Sequence, residues 1–197
     1  MITPTIKDTK VVFGPCRLSY THVFTKYAPD GDTDNGKYMT NVLIPKSEKQ
    51  TVKALQQAIE AAKKAGIVSK WGGKEPKNLE LPLRDGDTDK DDEVYEDCFF
   101  INAKSSTRPG ICDKNKNAIV DEEEIYSGVY AYVSVSFYPY DKNGNRGIAC
   151  GLNNIMKFKD GERLGGRTSA ENDFADIDAE DDEDFFQDVF SGGDDDD

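Results

Sequence analysis

Cysteine and histidine are scarce in this chain. Its four cysteines, Cys16, Cys98, Cys112 and Cys150, lie 82, 14 and 38 residues apart with no C-x-x-C among them, and His22 is the sole histidine. A structural zinc site draws on closely spaced Cys or His pairs, and this spacing supplies none. Cys98 and Cys150 fall in apolar, strand-like runs, where a reduced cysteine is a small core residue. Nothing points to a disulfide framework, and a Cys–His nucleophile pair would have to recruit His22 with no local motif behind it. Long apolar runs are missing as well. No stretch approaches the roughly 18 residues of a membrane helix, and the start, MITPTIK, lacks a basic-then-apolar signal profile. The expectation is a soluble, cytoplasmic protein with no membrane partner. Walker A, G-x-S-x-G and H-E-x-x-H motifs are all absent, so neither a cofactor nor catalysis is expected.

Positive charge is in deficit overall, but the deficit is local. The 197 residues carry 38 acidic and 25 basic side chains, a net of −13. From Glu171 to Asp197 there are 14 acids and no Lys or Arg, so residues 1–170 are nearly neutral at +1. Residues 85–97 (DGDTDKDDEVYED) hold eight acids against Lys90, and residues 121–124 (DEEE) hold four more. Everything else carries 24 basic and 12 acidic residues, a net of +12. Such a remainder attracts a polyanion, and a separate acidic tail competes for it. The low apolar content, 37%, fits a chain whose acidic end, 171–197, is disordered. Solvation alone does not call for Phe185, Phe186, Val189 and Phe190 in that end. Phe186, Val189 and Phe190 share one face of a helix at i, i+3 and i+4, a pattern suited to docking on a partner.

The body reads as strands around one helix. Residues 11–27 are β-branched and aromatic, broken only by Gly14-Pro15; a turn-rich loop, 28–36, leads to a second strand over 37–46. Ser47 and Gln50 form a capping-box pattern for a helix predicted to end at Gly66, with Val52, Leu55, Ile59 and Ala62 on its buried stripe. Residues 66–97 read as a long loop insertion, followed by a third strand, 98–103. From Ser127 to Tyr140, Val129, Ala131, Val133, Val135 and Phe137 alternate with Tyr130, Tyr132, Ser134, Ser136 and Tyr138. Period two sends the first set into a core and the second to the opposite face. A turn at 141–145 returns the chain through 146–159. The fold class is mainly β: a small, curved five-stranded barrel with one covering helix, residues 1–170, followed by the tail, 171–197.

Three acidic loops imitate calcium sites. Asp113 to Glu124 offers oxygens at the first, third, fifth, ninth and twelfth EF-hand positions, but Ala118 stands where the turn needs Gly. A metal-dependent nuclease or annealing protein would use Asp85, Asp87 and Asp89; these cluster in a loop, whereas such sites usually gather carboxylates from different strands. The tyrosine row is the stronger signal. A merely solvated sheet face is usually charged, yet 127–140 carries no charge until the turn. Rings on a curved sheet edged by Arg17, Lys26, Lys37, Lys104, Arg108, Arg146, Lys157 and Lys159 suit single-stranded nucleic acid, because bases stack on rings and cations neutralise phosphates.

The runs RLSYTHVF (17–24), YMTNVLIPKS (38–47), LPLRDGD (81–87), FINAKSSTRPGI (100–111) and YSGVYAYVSVSFYPYDKNGNRGIACGLNNIMK (126–157) resemble a family of bacteriophage proteins long catalogued as of unknown function. Its characterised relatives are single-stranded DNA-binding proteins with an OB-fold. The resemblance implies an OB-fold barrel that binds single strands without strong sequence preference in phage replication, recombination or repair. It further implies a tail that recruits replication or recombination proteins, with a homo-oligomer left open. Its implied DNA-binding candidates are Arg17, Tyr20, Phe24, Tyr38, Trp71, Phe100, Lys104, Arg108, Tyr130, Tyr132, Tyr138, Arg146 and Lys157. Trp71 is read either as a clamp on the strand or as a hydrophobic anchor. Many tails of this kind end on an aromatic residue, whereas here Phe190 lies seven residues from the end.

Overall fold

The computed structural model describes residues 2–165 apart from 30, 32 and 33, and the chain divides into the units Met1–Leu164 and Gly165–Asp197. The acidic segment from 171, with Phe185, Phe186, Val189 and Phe190, lies outside the described residues. In chain order the elements are β1 (Thr5–Lys7), β2 (Lys10–Tyr27), β3 (Lys37–Pro45), α1 (Lys49–Ser69), β4 (Arg84–Asp85), α2 (Gly86–Asp89), β5 (Cys98–Ser105), β6 (Gly110–Cys112), β7 (Tyr130–Lys142) and β8 (Asn145–Lys159). Two 3-10 turns, Glu93–Tyr95 and Glu122–Glu124, complete them.

Antiparallel pairing joins β2 to β3, β3 to β5, β7 to β8 and β2 to β7, and a parallel contact of β5 with β8 at Lys104 and Gly151 closes the circle. The result is the five-stranded barrel with one main helix that alternation suggests. Inward residues fill it: Val11, Phe13 and Leu18 from β2, Val42 and Ile44 from β3, Ile101 and Ala103 from β5, Val133, Val135 and Phe137 from β7, and Leu152 and Ile155 from β8. Each such side chain, fully buried, stabilises by about 1.5–3 kcal/mol for the larger aliphatics. The β2 register shifts between Phe13 and Cys16, where Gly14 at φ +128° and Pro15 interrupt the strand. The β7–β8 hairpin turns through Asn143 and Gly144, both at positive φ, as a two-residue turn requires.

The helix departs from its sequence reading at both ends. Glu48, not Ser47, precedes the first helical residue, and no side chain caps it. At the other end the helix runs through Gly66 to Ser69. Gly66 is buried because its missing side chain makes room: a Cβ there would lie 2.7 Å from both Trp71 and Pro139. The stripe Ala54, Leu55, Ala58, Ile59 and Ala62 packs into the core. Residues 66–97 are more than a loop, since they finish α1, pair β4 with β5 and place Glu80 beside Gly147. Among the described residues no helix is long and apolar enough to cross a membrane.

Gly→Ala in an exposed helix interior is worth about 0.5–1 kcal/mol of added stability. At Gly66 the sign reverses: overpacking against Trp71 and Pro139 is expected to cost about 1–3 kcal/mol. Urea titration of Gly66→Ala reads this as a lower midpoint at unchanged slope.

Candidate nucleic-acid interface

Strand pairing sets which side chains share the outer barrel face. On β7 the outward row is Tyr130, Tyr132, Ser134, Ser136 and Tyr138, opposite Lys159, Met156, Asn154, Gly151 and Ala149 of β8. Tyr138 is 50% exposed. Gly151 leaves the floor beside it low: a Cβ there would sit 3.4 Å from the Tyr138 ring and from the Ser136 carbonyl. Asn153 Nδ2 donates to Ser136 Oγ at 2.8 Å. Because Gly151 also neighbours Lys104, and Lys104 faces Met39, the outer face runs unbroken from β7 across β8 and β5 to β3.

On the other flank a register shift in β2 between Ser19 and His22 lifts Tyr20 out of the sheet at φ +47°, and its ring is 53% exposed. A non-glycine residue in this region is uncommon, and such positions concentrate at binding sites. The Lys90 ammonium stands 5.4 Å from the Tyr20 ring centroid, 5.3 Å from that of Tyr95 and 5.6 Å from that of Phe100. Beneath lie uncharged polar groups. Asn41 Nδ2 donates to Tyr95 Oη at 2.7 Å, and Tyr95 Oη donates to Ser19 Oγ at 3.2 Å. Burial pushes the Tyr95 phenol upward, so it stays neutral and able to donate.

A second aromatic group occupies the far end of β7 and β8. Tyr132 meets Phe158 edge-on at 5.5 Å, with the Lys114 ammonium 4.8 Å over Phe158 and that of Lys159 4.9 Å over Tyr130. Arg108 is exposed and lies 4.8 Å over the half-buried Phe24. Tyr38, half-buried, opposes Ser105.

Several expected binding residues take other places. Phe100 is 1% exposed, shut into a small core with Leu43 and Tyr95, so neither ring face is open to a base. Trp71 is 6% exposed and its indole N–H donates to the Tyr140 carbonyl at 3.2 Å, which makes it the hydrophobic anchor. Lys157 is largely enclosed between Glu124 at 2.5 Å and Asp160 at 2.7 Å. Arg17 donates to the Glu162 carbonyl at 2.9 Å, and the exposed Arg146 pairs with Asp141 at 2.7 Å. Brought to the open face are Tyr20, Lys104 and Tyr138. Lys90, Asn102 and Gly151 join them without having been singled out, over the buried Asn41; Lys90, the one base in an acidic run, carried a signal, and the others carried none.

The acids do structural work. Lys46 pairs with Asp85 at 2.6 Å and Asp87 at 2.7 Å, and Arg84 pairs with Asp89 at 2.9 Å, so the three carboxylates suggested for metal chemistry fasten the insertion to the residue that follows β3 and to itself. Asp85, Asp92 and Asp121 each accept a backbone N–H and cap the short helical turns that follow them. Asp113 closes its own loop by accepting from the backbone and side-chain N–H groups of Asn117.

The barrel is of the OB type, and its outer face carries aromatic rings with lysines beside them. Over residues 9–186 the chain matches the family described as Enterobacter phage Enc34, ssDNA-binding protein, and it belongs to that family. It is 29% identical to protein p50 of Acyrthosiphon pisum secondary endosymbiont phage 1 over 179 residues, covering 85% of this chain and 94% of that protein. The fold superposes on the single-stranded DNA-binding protein from bacteriophage Enc34 in complex with ssDNA, at TM-score 0.71 and 26% identity, covering 81% of this chain and 91% of that one. Gp2.5, a single-stranded DNA-binding protein encoded by bacteriophage T7, shares the fold at TM-score 0.54 and 17% identity, covering 87% of this chain and 97% of that one.

Lys46 and the Asp97 N–H hold the Asp87 carboxyl below its ordinary 3.8. The stability this provides is fully present above that value and is lost as pH falls through the lowered folded-state value. Thermal unfolding of wild type and Asp87→Asn should therefore differ at pH 7, with the variant less stable, and converge as the pH is taken well below 3.8.

Proposed function

We propose that this protein binds single-stranded DNA without strong sequence preference and serves the replication, recombination or repair of phage DNA in the host cytoplasm. The observation that carries the reading is the open face itself: exposed Tyr20 and Tyr138 rings at its two flanks, joined across uncharged side chains and Gly151 by Lys90 and Lys104. Bases stack on the rings, which tolerates any sequence, and lysines neutralise phosphates, which makes affinity fall with salt. Family membership and the likeness to the Enc34 protein bound to ssDNA support the same assignment. The second aromatic group, Tyr130, Tyr132 and Phe158 with Lys114 and Lys159, extends the surface available to a longer strand.

Fluorescence anisotropy of labelled oligo-dT and a matched duplex tests this. Wild type should prefer the single strand. Tyr20→Ala and Tyr138→Ala should each cost about 1–3 kcal/mol, and Lys104→Ala should flatten the log–log salt slope by about 0.7. Unchanged affinity in both tyrosine variants would overturn the assignment of this face.

The acidic segment 171–197 recruits replication or recombination partners and competes with DNA for the basic face, through 14 carboxylates uncompensated by any Lys or Arg. A protein ending at residue 170 should bind oligo-dT more tightly than the full chain at low salt and lose that advantage as salt screens both. Equal affinities at low salt would remove the competitor role.

A further inference from the structure

The outer face of β3 and β5 ends differently at its two extremes. Outward pairs run from Leu43 with Phe100, through Asn41 with Asn102, to Met39 with Lys104. At the Phe100 end the acidic insertion covers the sheet around a cavity of about 680 Å3 lined by Lys90 and by six carboxylates between Asp87 and Asp97. Beyond Lys90 those carboxylates repel phosphate. At the Lys104 end lies a cavity of about 570 Å3, within the roughly 300–1,000 Å3 of small-ligand sites. Among the described residues no carboxylate lines it; its apolar walls are Tyr27, Pro29 and Met39, with Asn102 on its edge and Lys37 and Lys104 at its rim.

Two features suit the cavity to a ring. Tyr27 is 44% exposed yet held: its ring leans on the His22 imidazole, 4.9 Å between centroids at 37°, and His22 in turn opposes Met39 across the β2–β3 ladder. Asn102 keeps its side-chain oxygen buried with no hydrogen-bond partner among the described residues, an acceptor whose desolvation the protein alone does not offset.

We propose that this cavity takes one unstacked nucleobase from the bound strand. The base lies flat between Tyr27 and Met39, the Asn102 amide turns to bring its buried oxygen to the base's edge, and the flanking phosphates rest on Lys37 and Lys104. An amide presents a donor and an acceptor side by side and can turn over, so it pairs with the edge of any of the four bases. The pocket thus fixes where nucleotides sit along the face without selecting their sequence. This rests on the single-stranded DNA reading, and the two fail differently.

Anisotropy with oligo-dT and with an equally long abasic oligonucleotide separates them. Tyr27→Ala should weaken binding to oligo-dT about tenfold or more while leaving the abasic strand unaffected; Tyr27→Phe, which keeps the ring, should retain wild-type affinity. Lys104→Ala should weaken both strands alike. Photocross-linking of wild type with 5-iododeoxyuridine at single positions should label Tyr27. Equal loss on both strands in Tyr27→Ala, or labelling of Tyr20 and Tyr138 but never Tyr27, would overturn the pocket and leave the parent reading standing. Failure of wild type to bind oligo-dT would overturn both.

Discussion

Everything on the outer face follows from one short seam, the parallel contact where Lys104 of β5 lies beside Gly151 of β8. Without it, the part of β5 beyond its pairing with β4 and the part of β8 beyond its pairing with β6 would be open edges offering unpaired backbone groups to any other chain. With it, the sheet closes, and the period of two in each strand sorts side chains into an inside that must be apolar and an outside that need not be. The seam also sets what stands next to what. It brings a lysine from the third barrel strand to a glycine whose missing side chain leaves the Tyr138 ring uncovered on one flank. A larger residue at Gly151 would raise the floor between the two tyrosine-bearing flanks.

The insertion between α1 and β5 acts as the counterweight to that open face. Its Tyr95 covers Leu43 and Phe100, its hydroxyl links Ser19 to Asn41, and its Lys90 reaches back over three rings. A segment so rich in carboxylates could not lie on the sheet by charge alone. Hydrophobic burial of Tyr95 and the Lys46 pairing hold it there. Its remaining acids then bound the open outer face at one end with negative charge, which repels any polyanion.

The strands were legible because alternation is a local property: the β7 pattern alone separates Val133 and Val135 from Tyr130, Tyr132 and Tyr138. Misreadings arose wherever a distant segment decided the matter. Gly66 looks like a helix stop until Trp71 and Pro139 fill the space its missing Cβ leaves. Phe100 sits in an outward register, as a stacking residue should, but Tyr95 arrives from the insertion and buries it. Trp71, flanked by Lys70 and Lys74, turns instead to the Tyr140 carbonyl. Tyr20 was visible as an aromatic in a strand, but its prominence comes from a backbone bulge that composition does not encode.

Charge counting shows the same limit and explains why rings matter here. The +12 of the non-acidic remainder overstates what a phosphate chain meets, because Lys46, Lys63, Lys157, Arg84 and Arg146 are engaged by carboxylates of the same fold. Cations placed over rings, such as Lys90, Lys114, Lys159 and Arg108, are the ones whose charge coincides with a surface that can hold a base. A face with few such cations draws a larger share of its affinity from stacking than from counterion release.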